Sequence, residues 1–191
     1  MNRFFKGLIV FSGSLITLVL LSEAWRENLH MEWQKYQQKY KDELGHLAQT
    51  EGERSAAQEY EIKLRQIVLP QLGRSDRCVT CHVAMEDRRM GAMPQPLKPH
   101  PGNYLDTHDI NRIGCTSCHD GQGRAITSAD AHARGEGRFW EEPLLKGVFL
   151  ESTCVRCHAN ALEQAPVYNA GKQLFKSKGC IACHSVGDIG G

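Results

Sequence analysis

The stretch Gly114-Cys115-Thr116-Ser117-Cys118-His119-Asp120-Gly121-Gln122-Gly123 decides how this chain is read. Its two cysteines stand three positions apart, and a histidine follows at once. The same arrangement recurs in Cys78-Val79-Thr80-Cys81-His82, Cys154-Val155-Arg156-Cys157-His158 and Cys180-Ile181-Ala182-Cys183-His184. These four motifs use all eight cysteines of the 191 residues. No thiol is left over for a disulfide, a free nucleophile or an iron–sulfur cluster.

C-x-x-C-H is the signature of covalent haem c attachment. Two thiols at that spacing add to the two vinyl groups of one porphyrin, and the histidine then ligates the iron from below. Paired C-x-x-C motifs also hold zinc, but zinc ribbons separate the pairs by about 15–20 residues. Cys81 and Cys115 lie further apart, and every pair here carries its histidine. A thioredoxin-like redox pair needs a βαβ context, which the pattern does not offer. A disulfide framework leaves the histidines unexplained. The expected cofactors are therefore four haem c groups with their iron. Cys78, Cys81, Cys115, Cys118, Cys154, Cys157, Cys180 and Cys183 would form the thioethers. His82, His119, His158 and His184 would be the proximal ligands.

From Cys78 onward only 114 residues serve four such sites. That is too little chain for an ordinary apolar core around each haem, so the haems themselves would be the core. The 18 glycines suit a loop-rich wrap. The expected fold is mainly α with much irregular structure. An N-terminal transmembrane helix extends as a stalk into a haem-packed multihaem domain. Net charge is +1 before haem propionates are counted, and no basic stripe points to nucleic acid.

The N-terminus begins with Arg3 and Lys6 and continues into an uncharged apolar run from Gly7 to Leu21. That length lies between a signal-peptide core of about 7–15 residues and a membrane span of about 17–25. Ser22-Glu23-Ala24 would serve as a cleavage site, whereas Trp25 and Trp33 would serve as interfacial anchors. The favoured reading is an uncleaved signal anchor over residues 1–24 in a bacterial cytoplasmic membrane. Arg3 and Lys6 would stay on the cytoplasmic side, with the rest outside. Haem c is attached on that outer, periplasmic side.

Trp25, Leu29, Trp33, Tyr36, Tyr40, Leu44 and Leu47 recur at steps of three and four, a single helical stripe. One continuous helix from membrane to periplasm is expected, its stripe covered by a neighbouring protein. His30 and His46 read as surface or packing residues. Gly45, Gly52 and the polar run 49–55 weaken the helix. Tyr60, Ile62 and Leu64 alternate as in a strand, although 56–69 also reads as a helix. Pro70 and Gly73 close this stalk and connector, residues 25–72.

Each iron also needs a sixth ligand or an open position, and that choice sets potential and reactivity. His100, His108 and His132 lie between motifs in loop-like sequence and are the candidate distal ligands. Prolines stiffen the backbone around His100. Met85, Met90 and Met93 compete, with Met93 in a proline-bounded loop the best placed. Residues 73–165 read as a three-haem domain. Residues 166–191 read as the start of a further unit, with no distal ligand after His184 and an ending at Asp188-Ile189-Gly190-Gly191 that suggests a longer native chain.

Three segments carry a family resemblance: Asp76-Arg77-Cys78-Val79-Thr80-Cys81-His82, Gly114 through Gly123, and Glu151-Ser152-Thr153-Cys154-Val155-Arg156-Cys157-His158. They resemble membrane-anchored multihaem cytochromes c that accompany bacterial cytochrome b and Rieske-type quinol-oxidising complexes. In such proteins a histidine ahead of the second motif and another after it are distal ligands. The resemblance implies that role for His100 or His108, and for His132. Gly171-Lys172-Gln173-Leu174-Phe175 and the residues up to Cys180 resemble the opening helix of class I monohaem cytochromes c. Motif spacings of 37, 39 and 26 differ from those of compact quinol dehydrogenases. The expected role is thus an electron-transfer subunit rather than an enzyme by itself. Its partners would be membrane lipid, a cytochrome b-containing quinol oxidoreductase and a soluble periplasmic redox protein. The alternatives are a multihaem enzyme acting on a small inorganic substrate at an open haem, and a haem donor to a photosynthetic reaction centre.

Overall fold

Between Lys6 and Glu23 the chain carries no charge, and helix α1 (Arg3–Leu29) forms over that run. At 1.5 Å per residue it is about 40 Å long, more than the roughly 30 Å of a bilayer's hydrocarbon. It is long and apolar enough to cross a membrane. Its apolar side chains, from Phe5 and Leu8 to Leu21, each keep over half their surface exposed. Three of its hydroxyls turn inward: Ser12, Thr17 and Ser22 donate to the carbonyls of Ile9, Gly13 and Val19. The computed structural model describes residues 3–29, 31–135, 139–158, 162–186 and 190.

The expected single rod is interrupted. Met31 is extended (φ −73°, ψ 146°), and a new helix, α2 (Glu32–Leu47), starts after it. The Gln34 side chain accepts from the Met31 N–H at 3.0 Å, which closes the new helix end. His30 lies outside the described residues. Helix α2 runs through Gly45, and α3 (Glu51–Glu59) follows inside the run that was expected to be weak. Thr50 and Glu53 form a capping box, and the hydroxyl accepts the Glu53 N–H at 3.2 Å.

The chain divides into two compact units. The first comprises Met1–Gln66, Arg77–Thr107 and Ile126–Ser128. Here the stripe of α2 finds its cover within the chain itself. Tyr40 is buried with Ala84, Met90 and Leu97, and Tyr36, Leu44, Tyr60, Val83 and Met93 pack around them. The expectation that a neighbouring protein covers this stripe is therefore corrected. The methionine-rich segment behind the first motif supplies the apolar surface that looked missing. Trp25, on α1, remains exposed.

Gln37, fully buried on the same helix, stitches this unit together. Its amide donates to the carbonyls of Lys63 and Thr80, both at 2.8 Å, and accepts the Lys63 N–H at 2.9 Å. Thr80 exchanges two further bonds with the backbone of Arg65. Residues 60–66 are thus held extended by side chains, without strand or helix. The helix reading of 56–69 holds only to Glu59, where α3 ends, and the strand reading of Tyr60, Ile62 and Leu64 gave way to that arrangement. A short helix, α4 (Tyr104–Thr107), ends the segment after the motif.

The second unit comprises Ile67–Asp76, His108–Ala125 and Ala129–Gly191. It opens with a hairpin of β1 (Ile67–Leu69) and β2 (Arg74–Asp76), antiparallel with Ile67 opposite Asp76. Pro70–Leu72 and left-handed Gly73 make the turn. The short helices α5 (Ile110–Ile113), α6 (Thr116–His119), α7 (Ser128–Ala131) and α8 (Glu151–Cys154) follow, then α9 (Pro166–Ser177). The described chain is predominantly helical with little strand, as expected.

Candidate functional site

All four motifs share one backbone hydrogen-bond pattern. In each, the carbonyl of the first cysteine accepts from the N–H of the second cysteine and from the N–H of the histidine. The two distances are 3.1 and 2.9 Å at Cys78, 3.2 and 2.9 Å at Cys115, 3.2 and 3.0 Å at Cys154, and 3.2 and 2.9 Å at Cys180. This is a single helical turn. Residues i, i+3 and i+4 share one face of such a turn, so both thiols and the imidazole emerge together. No disulfide joins any two of the cysteines.

The first motif leans on α2. Burial, and secondly the Glu32 carboxylate, push the Cys81 thiol up to about 11. Tyr36 is raised to about 12, chiefly by its hydrogen bond to Glu32. A nucleophilic or redox cysteine needs the opposite shift. Cys118 is raised too, by burial and by the neighbouring Cys154, Cys157 and Cys115.

The second motif is built around Asp76. This buried carboxylate accepts the N–H of Cys115 (2.8 Å), the N–H of Thr116 (3.0 Å) and the Thr116 hydroxyl (3.1 Å). It caps the motif turn from the far strand of the hairpin. The glycines on either side follow from it. A Cβ on Gly114 (φ +72°) would strike the Asp76 carboxylate and come to 2.5 Å from Leu69 Cδ1. One on Gly123 would come to 2.6 Å from the Ser75 carbonyl.

The third motif is clamped to the second. Arg156, inside its C-x-x-C, makes two bonds to Asp120 at 2.7 and 2.8 Å. Thr153 donates to the Cys118 carbonyl at 3.0 Å. Asp120 directly follows His119 at φ +50°, a region that favours glycine. Arg156, bonded to it, and Arg74, 3.6 Å away, over-determine that conformation. The Arg156 bond holds the Asp120 carboxyl below its ordinary value despite burial. The four cysteines of these two motifs do not bring three ligand atoms within 4.8 Å of one another, as a structural zinc site requires.

The fourth motif follows α9, and the helix expected over 171–175 is part of it. Gly179 (φ +76°) turns the chain into Cys180. Cys180, Cys183 and His184 are exposed, and α9 buries none of its residues.

Among the candidate distal ligands, His100 is half-buried in the first unit. Its main chain donates to the Met85 carbonyl, and its Nδ1 stands 2.9 Å from the Pro101 carbonyl. A ligating histidine commonly donates its second N–H to such a carbonyl. Met93 packs on the cluster around Met90. Met90 is itself 1 % exposed. In the second unit, the rings of His108 and His158 face each other with centroids 6.1 Å apart. His132 is half-buried after α7, where the Ala131 carbonyl accepts the Gln122 N–H. His46 is exposed.

The residues fit haem on two further counts. Trp33 Nε1 is buried without an acceptor among the described residues. A buried donor of this kind calls for a partner, and a haem propionate would supply one. Downstream of Cys78 the buried apolar residues among those described are few: Ala84, Met90, Leu97, Ile110 and Ala165. A peptide of that length needs more to fold alone. Gln37, Asp76, Asp120 and Arg156 escaped the reading of the sequence. Only the position of Arg156 within a motif, and of Asp120 directly after one, distinguished any of them in advance.

Acid is expected to loosen the first motif. Arg89 beside Asp87, with the Tyr40 hydroxyl bonded at 3.0 Å, holds the Asp87 carboxyl below its ordinary value. A depressed folded pKa means stability that is present above the unfolded pKa and lost as pH falls through the folded one. Between pH 5 and 2 the unfolding free energy is therefore expected to fall by more than in an Asp87→Asn variant, and the difference to be small, since Arg89 is half-exposed. Denaturant melts across that range check this.

Comparison with known protein families, with characterised proteins and with solved structures finds no match.

Proposed function

We propose that this chain is a membrane-anchored tetrahaem c-type cytochrome. It relays electrons between a membrane quinol-oxidising complex with a b-type cytochrome and a periplasmic acceptor. The observation that carries this reading is the same turn at all four C-x-x-C-H motifs, each presenting two thiols and an imidazole on one side. That is the stereochemistry needed to bind a porphyrin at two vinyl carbons and ligate its iron. Haem supplies reversible one-electron chemistry at iron, tuned by axial ligand, burial and hydrogen bonding. The chain's own part is to fix each group and set the distances between them.

The bonds between the second and third motifs support a relay rather than isolated centres. Haems seated on turns that share the Arg156–Asp120 pair would stand side by side. The exposed fourth motif offers an exit toward a soluble partner. Helix α1 supplies the anchor, with Arg3 and Lys6 on the cytoplasmic side. The resemblance of the first three motif segments to cytochromes of quinol-oxidising complexes suggests the electron source.

Purification in mild detergent tests the role. A b-type cytochrome is expected among the copurifying chains, and a ferric protein whose closed haems ignore cyanide. A protein without partners, with a haem that binds cyanide or nitrite, supports the small-molecule enzyme instead.

A further inference from the structure

We infer that His108 is the distal ligand of the third haem, on the opposite side of the iron from His158, so that the segment entering the second motif clamps the haem carried by the third. This rests on the haem reading above and adds a specific pairing to it.

A metal–imidazole bond is about 2.0 Å and the ring centroid lies about 1.1 Å behind its ligating nitrogen, so two imidazoles on opposite sides of one iron have centroids about 6.2 Å apart. The observed separation is 6.1 Å. The ring planes stand at 74°, and rotation about the axis through the metal leaves that angle open. Edge-to-face ring packing covers a similar range of separations, about 4.5–7 Å. Burial separates the two explanations. His158 is exposed and His108 only half-buried. Two rings packed for their own sake gain little where water reaches them.

The backbone on both sides is fixed. His158 closes its motif turn by donating to the Cys154 carbonyl at 3.0 Å. His108 precedes Asp109, whose carboxylate caps α5 by accepting the Asn111 N–H at 2.9 Å. Ile110, 8 % exposed, anchors α5 in the second unit, where the helix packs on β1. The imidazole is therefore presented from a short helix start, with little freedom to swing away. A site built this way holds its geometry before the metal arrives.

The pairing also gives the Asp120–Arg156 clamp a purpose. The iron would join residue 108, ahead of the second motif, to residue 158 in the third. Asp120, directly after the second motif, and Arg156, inside the third, tie the same two segments a second time. Two cross-links around one haem would fix its tilt against the second haem.

The test uses the full-length protein, matured with haem and held in detergent. A His108→Ala variant is expected to keep four covalent haems while one of them turns from low-spin to high-spin ferric and binds carbon monoxide when reduced. In a Cys154→Ala/Cys157→Ala background, which lacks the third haem, the same substitution is expected to change no spin state. A His108→Met variant is expected to stay low-spin and raise one midpoint potential, which guards against a folding defect. A high-spin haem that persists in the Cys154→Ala/Cys157→Ala background would overturn the pairing, as would an unchanged spectrum in His108→Ala. A wild-type protein with no covalent haem would instead overturn the reading on which it rests.

Discussion

A Cys115→Ala/Cys118→Ala protein is expected to carry three covalent haems in place of four and to unfold at a clearly lower temperature than the wild type. The second motif is the most heavily tied of the four. Asp76 binds its backbone, Thr153 binds the Cys118 carbonyl, and Asp120 after it holds Arg156. Loss of its haem removes apolar cover from a unit that buries few apolar side chains, with Leu69 and Ile110 the chief ones. The Cys180→Ala/Cys183→Ala protein provides the contrast. Its motif is exposed and packs mainly on α9. It is expected to lose one haem with a small change in melting temperature. Haem absorbance per protein and thermal melts read both effects. A larger loss of stability in the second variant would contradict the placement of the motifs described here.

An Asp76→Ala variant is expected to lose about 3 kcal/mol, nearly as disruptive as removing a haem. Three donors lose their acceptor at once, and each buried group left unsatisfied costs about 1–3 kcal/mol. Loss of a helix cap alone costs about 1 kcal/mol. Partial access of water to Cys115 brings the sum toward the lower figure. An Asp76→Asn variant keeps an acceptor oxygen and is expected to lose about 1 kcal/mol. Against a domain stability of roughly 5–15 kcal/mol, the alanine change would also reduce haem occupancy at the second motif. Denaturant unfolding at neutral pH distinguishes the two variants. Equal, small losses in both would show that the three bonds contribute little.

The motifs and the apolar N-terminus were legible because they are local. A C-x-x-C-H turn closes its bonds within five residues, and α1 follows from an unbroken uncharged run. The helix before the fourth motif was visible for the same reason. The break at Met31 was not, because helical periodicity continues through it and only the Gln34 side chain marks the restart. Thr50 with Glu53 was a readable capping box inside a stretch where glycine drew more notice. The cover of the α2 stripe was missed because Val83, Ala84, Met90 and Leu97 show no regular period. Asp76 illustrates the remaining limit. It lies two residues before Cys78, yet it holds the turn at Cys115, and no local pattern announces a bond across 39 residues.

The central claim is that the four motifs carry covalently bound haem. The direct measurement is the intact mass of the protein matured in a host that attaches haem c, taken after acid-acetone extraction. The expected mass is that of the uncleaved chain plus four haem groups, with none of the eight cysteines titrating as a free thiol after denaturation. A mass equal to the bare chain, with eight titratable thiols or bound zinc in place of haem, would contradict the account.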